Sequence, residues 1–182
     1  MSGLKIRIAV ATDIKAIMEF DHTVKTDYVW QFDMKTSEDQ ISALFREIRL
    51  PRSVLIQYPK ILTTLVDDWN RGSVMFVALY EDTLCGYLRI TENATPVNSL
   101  ITDLVVSTPY RRQAVATNLI FTSLKWSAER GKTRINIETT SKNHPSINLF
   151  KKLGFYFCGY NDQYYDSNDV ALFFGREEDI LL

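Results

Sequence analysis

Residues 107–117 bring together the residue types that grip an anion at the start of a helix. The run Ser107-Thr108-Pro109-Tyr110-Arg111-Arg112-Gln113-Ala114-Val115-Ala116-Thr117 follows Asp103-Leu104-Val105-Val106 and opens a helical pattern. A helix N-terminus carries unpaired N–H groups and a partial positive charge, so a phosphate is favoured there. Small Ala114 and Ala116 let a ligand approach the backbone, and Arg111 and Arg112 add cationic donors. From the residues alone, a strand-to-helix turn with solvated arginines fits as well. His22 and His144 lack metal-ligand spacing, so no metal is expected. Cys85 and Cys158 lie in apolar stretches without C-x-x-C spacing and read as buried, reduced thiols. Tyr28, Trp30 and Phe32, interleaved with Asp27 and Asp33, either pack into the core or line a pocket for a cation.

The elements around this run follow from hydrophobic periodicity. Ile6, Ile8 and Val10 alternate with polar neighbours as a short strand, and Thr12-Asp13 starts a helix carrying Ile14, Ile17 and Met18. Thr36-Ser37-Glu38-Asp39 reads as a second helix start, with Ile41, Leu44, Phe45 and Ile48 on one helical face and Pro51 ending it. Residues 51–59 read as irregular, and residues 61–69 as a short helix. The period then becomes two: strands are predicted over 74–80, 84–92 and 99–106. A helix follows over 112–130, closed by Gly131, then a strand over 134–139 and a helix over 145–153 with Pro145 in its first turn. Strands over 155–165 and 169–174 end the pattern, which implies an α/β (α+β) fold with helices on the faces of a mixed sheet.

Composition narrows the function classes. The 182 residues, 46% hydrophobic and 24% charged, suit one soluble globular domain, 1–182, residing in the cytoplasm. A formal net charge of -1 provides no basic field for nucleic acid. No apolar run approaches the ~20 residues of a membrane span, and Lys5 and Arg7 break up the N-terminus as a signal sequence. Neither nucleic acid nor membrane is therefore an expected partner.

Three motifs in order make the reading specific. Residues 110–116 resemble the acetyl-CoA signature Q/R-x-x-G-x-G/A of the GCN5-related N-acetyltransferase (GNAT) superfamily, and Asn143 and Leu149-Phe150-Lys151-Lys152-Leu153-Gly154-Phe155 resemble its downstream features. Ile137-Glu138-Thr139-Thr140 with Asn143, Gly159-Tyr160, and Ala171-Leu172-Phe173-Phe174 more faintly resemble the streptothricin acetyltransferases within it. The resemblance implies a mostly antiparallel central sheet of about seven strands. It further implies acetyl-CoA as co-substrate, no metal, and transfer of an acetyl group to a primary amine by direct attack in a ternary complex.

The same resemblance assigns roles. Backbone groups of Leu104, Val105 and Val106 would pair with the pantetheine arm, and an N–H there, Val105 by preference, would polarise the thioester. Backbone N–H groups of Arg111, Arg112, Gln113, Ala114, Val115 and Ala116, with the Thr117 hydroxyl, would hold the pyrophosphate. Asn143 would reach the pantetheine or cap the helix before Pro145, and Phe150 and Lys152 complete the cofactor set. An ammonium titrating near ~10 must lose its proton before attack, and Asp103 and Glu138 are the candidate bases; their plainer readings are orienting a cation and accepting a structural hydrogen bond. Two departures stand out. Ala114 replaces the usual glycine and is expected to fit helical φ/ψ. Phe150 stands where many relatives carry a proton-donating Tyr and cannot donate; Tyr160, Tyr164 or Tyr165 would substitute, or the thiolate takes a proton from solvent. Tyr28, Trp30 and Asp33 are the candidate acceptor-binding residues. The expected acceptor is a small amine such as an amino-group antibiotic; a protein or peptide amine and a non-catalytic CoA-binding module are the alternatives, and a homodimer is left open.

Overall fold

The computed structural model describes residues 3–71, 73–95 and 97–177. β1 (Leu4–Ile8) leads into α1 (Ala11–Met18), where Asp13 accepts the Val10 N–H at 2.8 Å and both guanidinium nitrogens of Arg7 at 2.6 and 2.9 Å. β2 (Val24–Thr36) and β3 (Ile41–Ile56) form a long hairpin. The chain continues through α2 (Thr63–Asn70), β4 (Val74–Tyr80), β5 (Thr83–Thr95), β6 (Asn98–Val106), α3 (Val115–Ala128), β7 (Arg134–Thr140), α4 (His144–Lys152), β8 (Tyr156–Asn161) and β9 (Ala171–Glu177). Among the described residues the central sheet has seven strands in the order β1-β4-β5-β6-β7-β9-β8, antiparallel except for β6 beside β7. This is the mixed sheet with helices on both faces that the sequence predicts.

Alternation along the central strands divides the core between the two faces. Phe76 and Ala78 of β4 and Leu88 and Ile90 of β5 pack with Leu119, Ile120 and Leu124 of α3 and Ile147 of α4. Their neighbours Met75, Val77 and Tyr87 pack with Ile14 and Ile17 of α1 and Leu65 of α2. Each face of the sheet is therefore closed by helices whose apolar sides the period-3.6 pattern marks.

The predicted helix over 36–48 is a strand instead. Ile41, Leu44, Phe45 and Ile48 have helical spacing, but β2 offers a partner of β-forming residues, and Phe32 lies directly opposite Phe45 in the hairpin register. Ser37 and Asp39, which resemble a helix cap, close the hairpin turn: the Ser37 N–H donates to Gln40 O at 2.8 Å. Pro51 does not end an element. It lies in β3 where the register jumps between Thr26 and Tyr28, so several β3 residues oppose Asp27 alone and no ladder N–H is needed from the proline. Cys158, expected to be buried, is exposed, because β8 is the outermost strand; Cys85 is buried, and both are free thiols. No helix among the described residues is long and apolar enough to cross a membrane.

Gly86 shows how closely α3 and β6 approach β5. A Cβ there would lie 3.0 Å from Val105 O and 3.2 Å from Val115 Cγ1. Gly86→Ala is expected to destabilise the protein by roughly 1–3 kcal/mol in urea unfolding, since a backbone oxygen cannot rotate away as a side chain would.

Candidate active site

β6 and β7 pair only from Asn98↔Arg134 to Ile101↔Ile137. Thr102 is then an extra residue, because Ile90 of β5 faces Ile101 while Arg89 faces Asp103. Such a bulge bends its strand and increases local twist. Beyond it β6 stays on β5 as far as Val106, β7 stays on β9 as far as Thr140, and the two strands part. The backbone edge of residues 103–106 that would face β7 is left available for another extended chain.

Charged side chains fill the root of this splay. Asp103 is buried and meets Arg89 Nε at 2.6 Å, Thr102 Oγ1 at 2.9 Å, Lys60 Nζ at 3.4 Å and, at very short range, the Tyr58 hydroxyl. Burial alone would push its carboxyl up. The charges of Lys60 and Arg89, with the hydrogen bonds from Tyr58 and Thr102, outweigh that and hold it below the ordinary carboxylate value. Across the gap, Glu138 accepts from Lys60 Nζ at 2.7 Å and from the Tyr164 hydroxyl at 3.0 Å. Burial, followed by the charge and hydrogen bond of Glu138, pushes Tyr164 up to about 12. Arg89 is paired on its far side with Asp68 of α2.

His22 extends the network. It lies on the loop between α1 and β2 and is 7% exposed. Its Nδ1 lies 2.7 Å from Phe20 O, which can only accept, so Nδ1 carries the proton and Nε2 accepts from the Tyr87 hydroxyl at 3.1 Å. Burial lowers its pKa and favours this neutral form.

The anion-binding run adopts a conformation that the sequence hides. A 3₁₀ turn at Thr108–Tyr110 precedes two left-handed residues, Arg112 at φ +63° and Ala114 at φ +60°, with Ala114 as the N-cap of α3. Ala114 is therefore not in the helical conformation expected for it, but in one that costs a side-chain-bearing residue roughly 1–2 kcal/mol. The left-handed turns give the backbone N–H groups here a concave arrangement suited to an anion, and among the described residues no loop or cap carbonyl takes up those of residues 112–117. Arg111 turns inward instead: its guanidinium donates to Val106 O and Thr23 O, each at 2.9 Å, and to Asp21 O at 3.3 Å.

A cleft of about 940 Å³ joins these features, lined by Leu104, Val105 and Val106, by Arg111, Arg112 and Ala114 to Thr117, by Asn143, Phe150 and Lys152, and by Asp103 and Glu138. Asn143 also caps α4, accepting from the Ser146 N–H at 3.3 Å. Phe150 is buried against Phe155 and Phe174. Lys60, Tyr58, His22 and Tyr165 line the cleft as well and escaped the sequence reading as site residues, Tyr165 apart. The remaining candidates fall elsewhere. Gln113 turns away, donating to Pro109 O at 3.0 Å. Tyr160 packs on Phe32 and Phe45 of the hairpin, its hydroxyl 3.8 Å from Met34 Sδ, and is placed outside the cleft because β8 is the sheet edge. Tyr28 stacks on His144, Trp30 carries Lys151 over its ring, and Asp33 pairs with Arg46. None of those three lines the cleft.

A parted β6–β7 pair above a turn of free N–H groups at the start of α3 is the architecture of an acyl-transfer fold, and residues 39–155 match the model of the Acetyltransferase (GNAT) family. The chain belongs to that family. It is similar to the streptothricin acetyltransferase of Escherichia coli, 30% identical over 112 residues, covering 59% of this chain and 64% of that protein. The match to the streptothricin acetyltransferase of Streptomyces lavendulae is 25% identical over 169 residues, covering 90% of this chain and 87% of that protein. The fold is shared with a crystal structure of nourseothricin acetyltransferase, TM-score 0.80 at 23% identity over 97% of this chain and 99% of that one. It is shared also with a protein assigned as a streptothricin acetyltransferase from Bacillus anthracis str. Ames, solved with acetyl coenzyme A, TM-score 0.73 at 19% identity over 96% and 99%.

Two measurements check this geometry. Ala114→Gly relieves the left-handed strain and is expected to raise stability by roughly 1 kcal/mol in chemical unfolding. Asp103→Asn leaves Arg89 and Lys60 without their shared anion and is expected to cost about 3–5 kcal/mol at neutral pH. Because the folded carboxyl titrates below its unfolded value, its stabilisation is present above about pH 4 and fades on further acidification. The gap between wild type and variant should therefore narrow when unfolding midpoints are compared at pH 7 and pH 3.

Proposed function

We propose that this chain transfers the acetyl group of acetyl-CoA to a primary amine of a small molecule by direct attack, with no acyl-enzyme. The carrying observation is the continuity of one cleft from the free N–H groups of residues 112–117 to the open backbone edge of residues 103–106. The first suits a pyrophosphate and the second an amide-bearing pantetheine arm. Apart from Lys60, which is paired with Asp103 and Glu138, the cleft is lined by Lys25, Arg111, Arg112 and Lys152, a positive surplus that favours a polyanionic ligand.

The chemistry follows from what each group is free to do. An N–H among residues 104–106 polarises the thioester carbonyl. The acceptor ammonium gives its proton to Glu138, whose carboxylate has one oxygen toward Lys60 and the other toward Tyr164. The amine lone pair then attacks, the C–N bond forms, the C–S bond breaks with its electron pair going to sulfur, and the acylated nitrogen releases its second proton to solvent to leave a neutral amide. Phe150 cannot protonate the thiolate, so a solvent proton completes CoA. Asp103, saturated by four donors, serves as a fixed anion rather than as the base. The likeness to streptothricin acetyltransferases supports a soluble amine-bearing antibiotic as acceptor class.

The test is incubation with acetyl-CoA and a panel of streptothricin, polyamines and peptides, following free thiol. Thiol release with a small amine and not with peptides is expected, and Glu138→Gln should lower kcat by about 10² or more. CoA binding without turnover on any amine would instead indicate a CoA-binding module, and failure to bind CoA would refute the reading altogether.

A further inference from the structure

Where β6 and β7 part, a single side chain spans the gap. Lys60, between β3 and α2, places Nζ 2.5 Å from Thr102 O, 2.7 Å from Glu138 and 3.4 Å from Asp103. Its side chain is 18% exposed, and those of both carboxylates are 1% exposed. Two carboxylates within reach of one ammonium, and shielded from water, cannot both stay ionised without a cation between them.

The groups facing this ammonium divide unequally between the two acids. Arg89 of β5 binds Asp103 and is itself paired with Asp68 of α2. Tyr58, on the same segment as Lys60, donates to Asp103 and interacts with Tyr87 of β5, which in turn meets neutral His22. Tyr164 and Tyr165, between β8 and β9, face Glu138 as neutral hydroxyls. Asp103 thus has a second cation. Among the described residues, Glu138 has only Lys60.

We infer that Lys60 is a positioning residue for acetyl transfer, an internal counter-ion that ties Asp103 and Glu138 together across the mouth of the splay and leaves Glu138 as the carboxylate that takes the acceptor's proton. The inference rests on the functional reading above. The lysine also donates to Thr102 O, the carbonyl at the bulge. One side chain therefore fixes the backbone where the strands separate and the charge of the group that works there. Lys60 is not the attacking amine: its nitrogen is committed to Thr102 O, Glu138 and Asp103.

The test compares wild type with Lys60→Met and Lys60→Arg. In Lys60→Met the acid limb of kcat/KM against pH should move up by about one pH unit or more, and kcat should fall roughly 10- to 100-fold at neutral pH, with KM for acetyl-CoA unchanged. Lys60→Arg should restore the acid limb. Should Lys60→Met not fold, Lys60→Gln, which keeps a donor for Thr102 O, gives the same displacement. A uniform loss of rate with an unmoved acid limb, or a wild-type profile in Lys60→Met, overturns the inference. Carbon-13 NMR titration of the Asp103 carboxyl reads the counter-ion without turnover: its midpoint should rise in Lys60→Met. A rise in a protein that turns over no amine rejects the functional reading while upholding the counter-ion; no rise in an active protein rejects the inference.

Discussion

Two neighbouring parallel strands that pair for four residues and then separate impose the constraint from which the site follows. Parallel pairing of β6 with β7 stops at Ile101, where the extra residue Thr102 bends β6 and increases its twist. Each strand keeps its other neighbour, so neither loses its place in the sheet. What is lost is one run of ladder bonds, and unpaired backbone inside a fold needs a partner or an opening to solvent. The protein meets that need in two ways: an ammonium at the root of the gap, and a cleft above it.

The charges at the root illustrate how burial and pairing compete. Burial alone would neutralise Asp103, yet Arg89, Lys60 and two hydroxyl donors reverse the sign of the effect. Replacing such a cluster by apolar residues could leave stability unchanged, so its presence argues for a task beyond holding the fold together. On the proposed reading that task is removal of a proton from the acceptor ammonium, which an ionised carboxylate can accept. The cluster also reaches outward: Tyr58 donates to Asp103 and packs its ring on His22, which accepts from Tyr87, so the loop before β2 is tied to the strand edge by ring packing and hydrogen bonds together.

Much of this was legible in the sequence, for identifiable reasons. Residues 103–117 announce themselves because strand, break, cations and helix are contiguous, and the alternation from Val74 onward marks a two-sided sheet. The hairpin was not legible, since Ile41, Leu44, Phe45 and Ile48 fit a helix as well as a strand, and only the facing row of β2 decides between them. Lys60 carried no local signal: its partners lie far along the chain, and nothing in Tyr58-Pro59-Lys60 distinguishes a bridging ammonium from a solvated one. Tyr160 illustrates the reverse case, a residue whose chemistry suits the role and which the sheet order places on the outer strand. Ala114 was misjudged because a side chain's size is visible in sequence and a positive φ is not.

The inward turn of Arg111 has a consequence for how such a site persists as sequences diverge. With its guanidinium committed to the carbonyls of Asp21, Thr23 and Val106, Arg111 is not free to grip an anion, and on the proposed reading the peptide dipoles of the turn, with Arg112 beside them, would supply the attraction for a phosphate. Every residue type except proline supplies the same N–H, so the recognition surface is written in backbone shape and only loosely in side chains. Selection can then exchange residues here, a glycine for Ala114 included, provided the chain still traces the same two left-handed turns. A fold of this kind keeps its ligand while its letters drift.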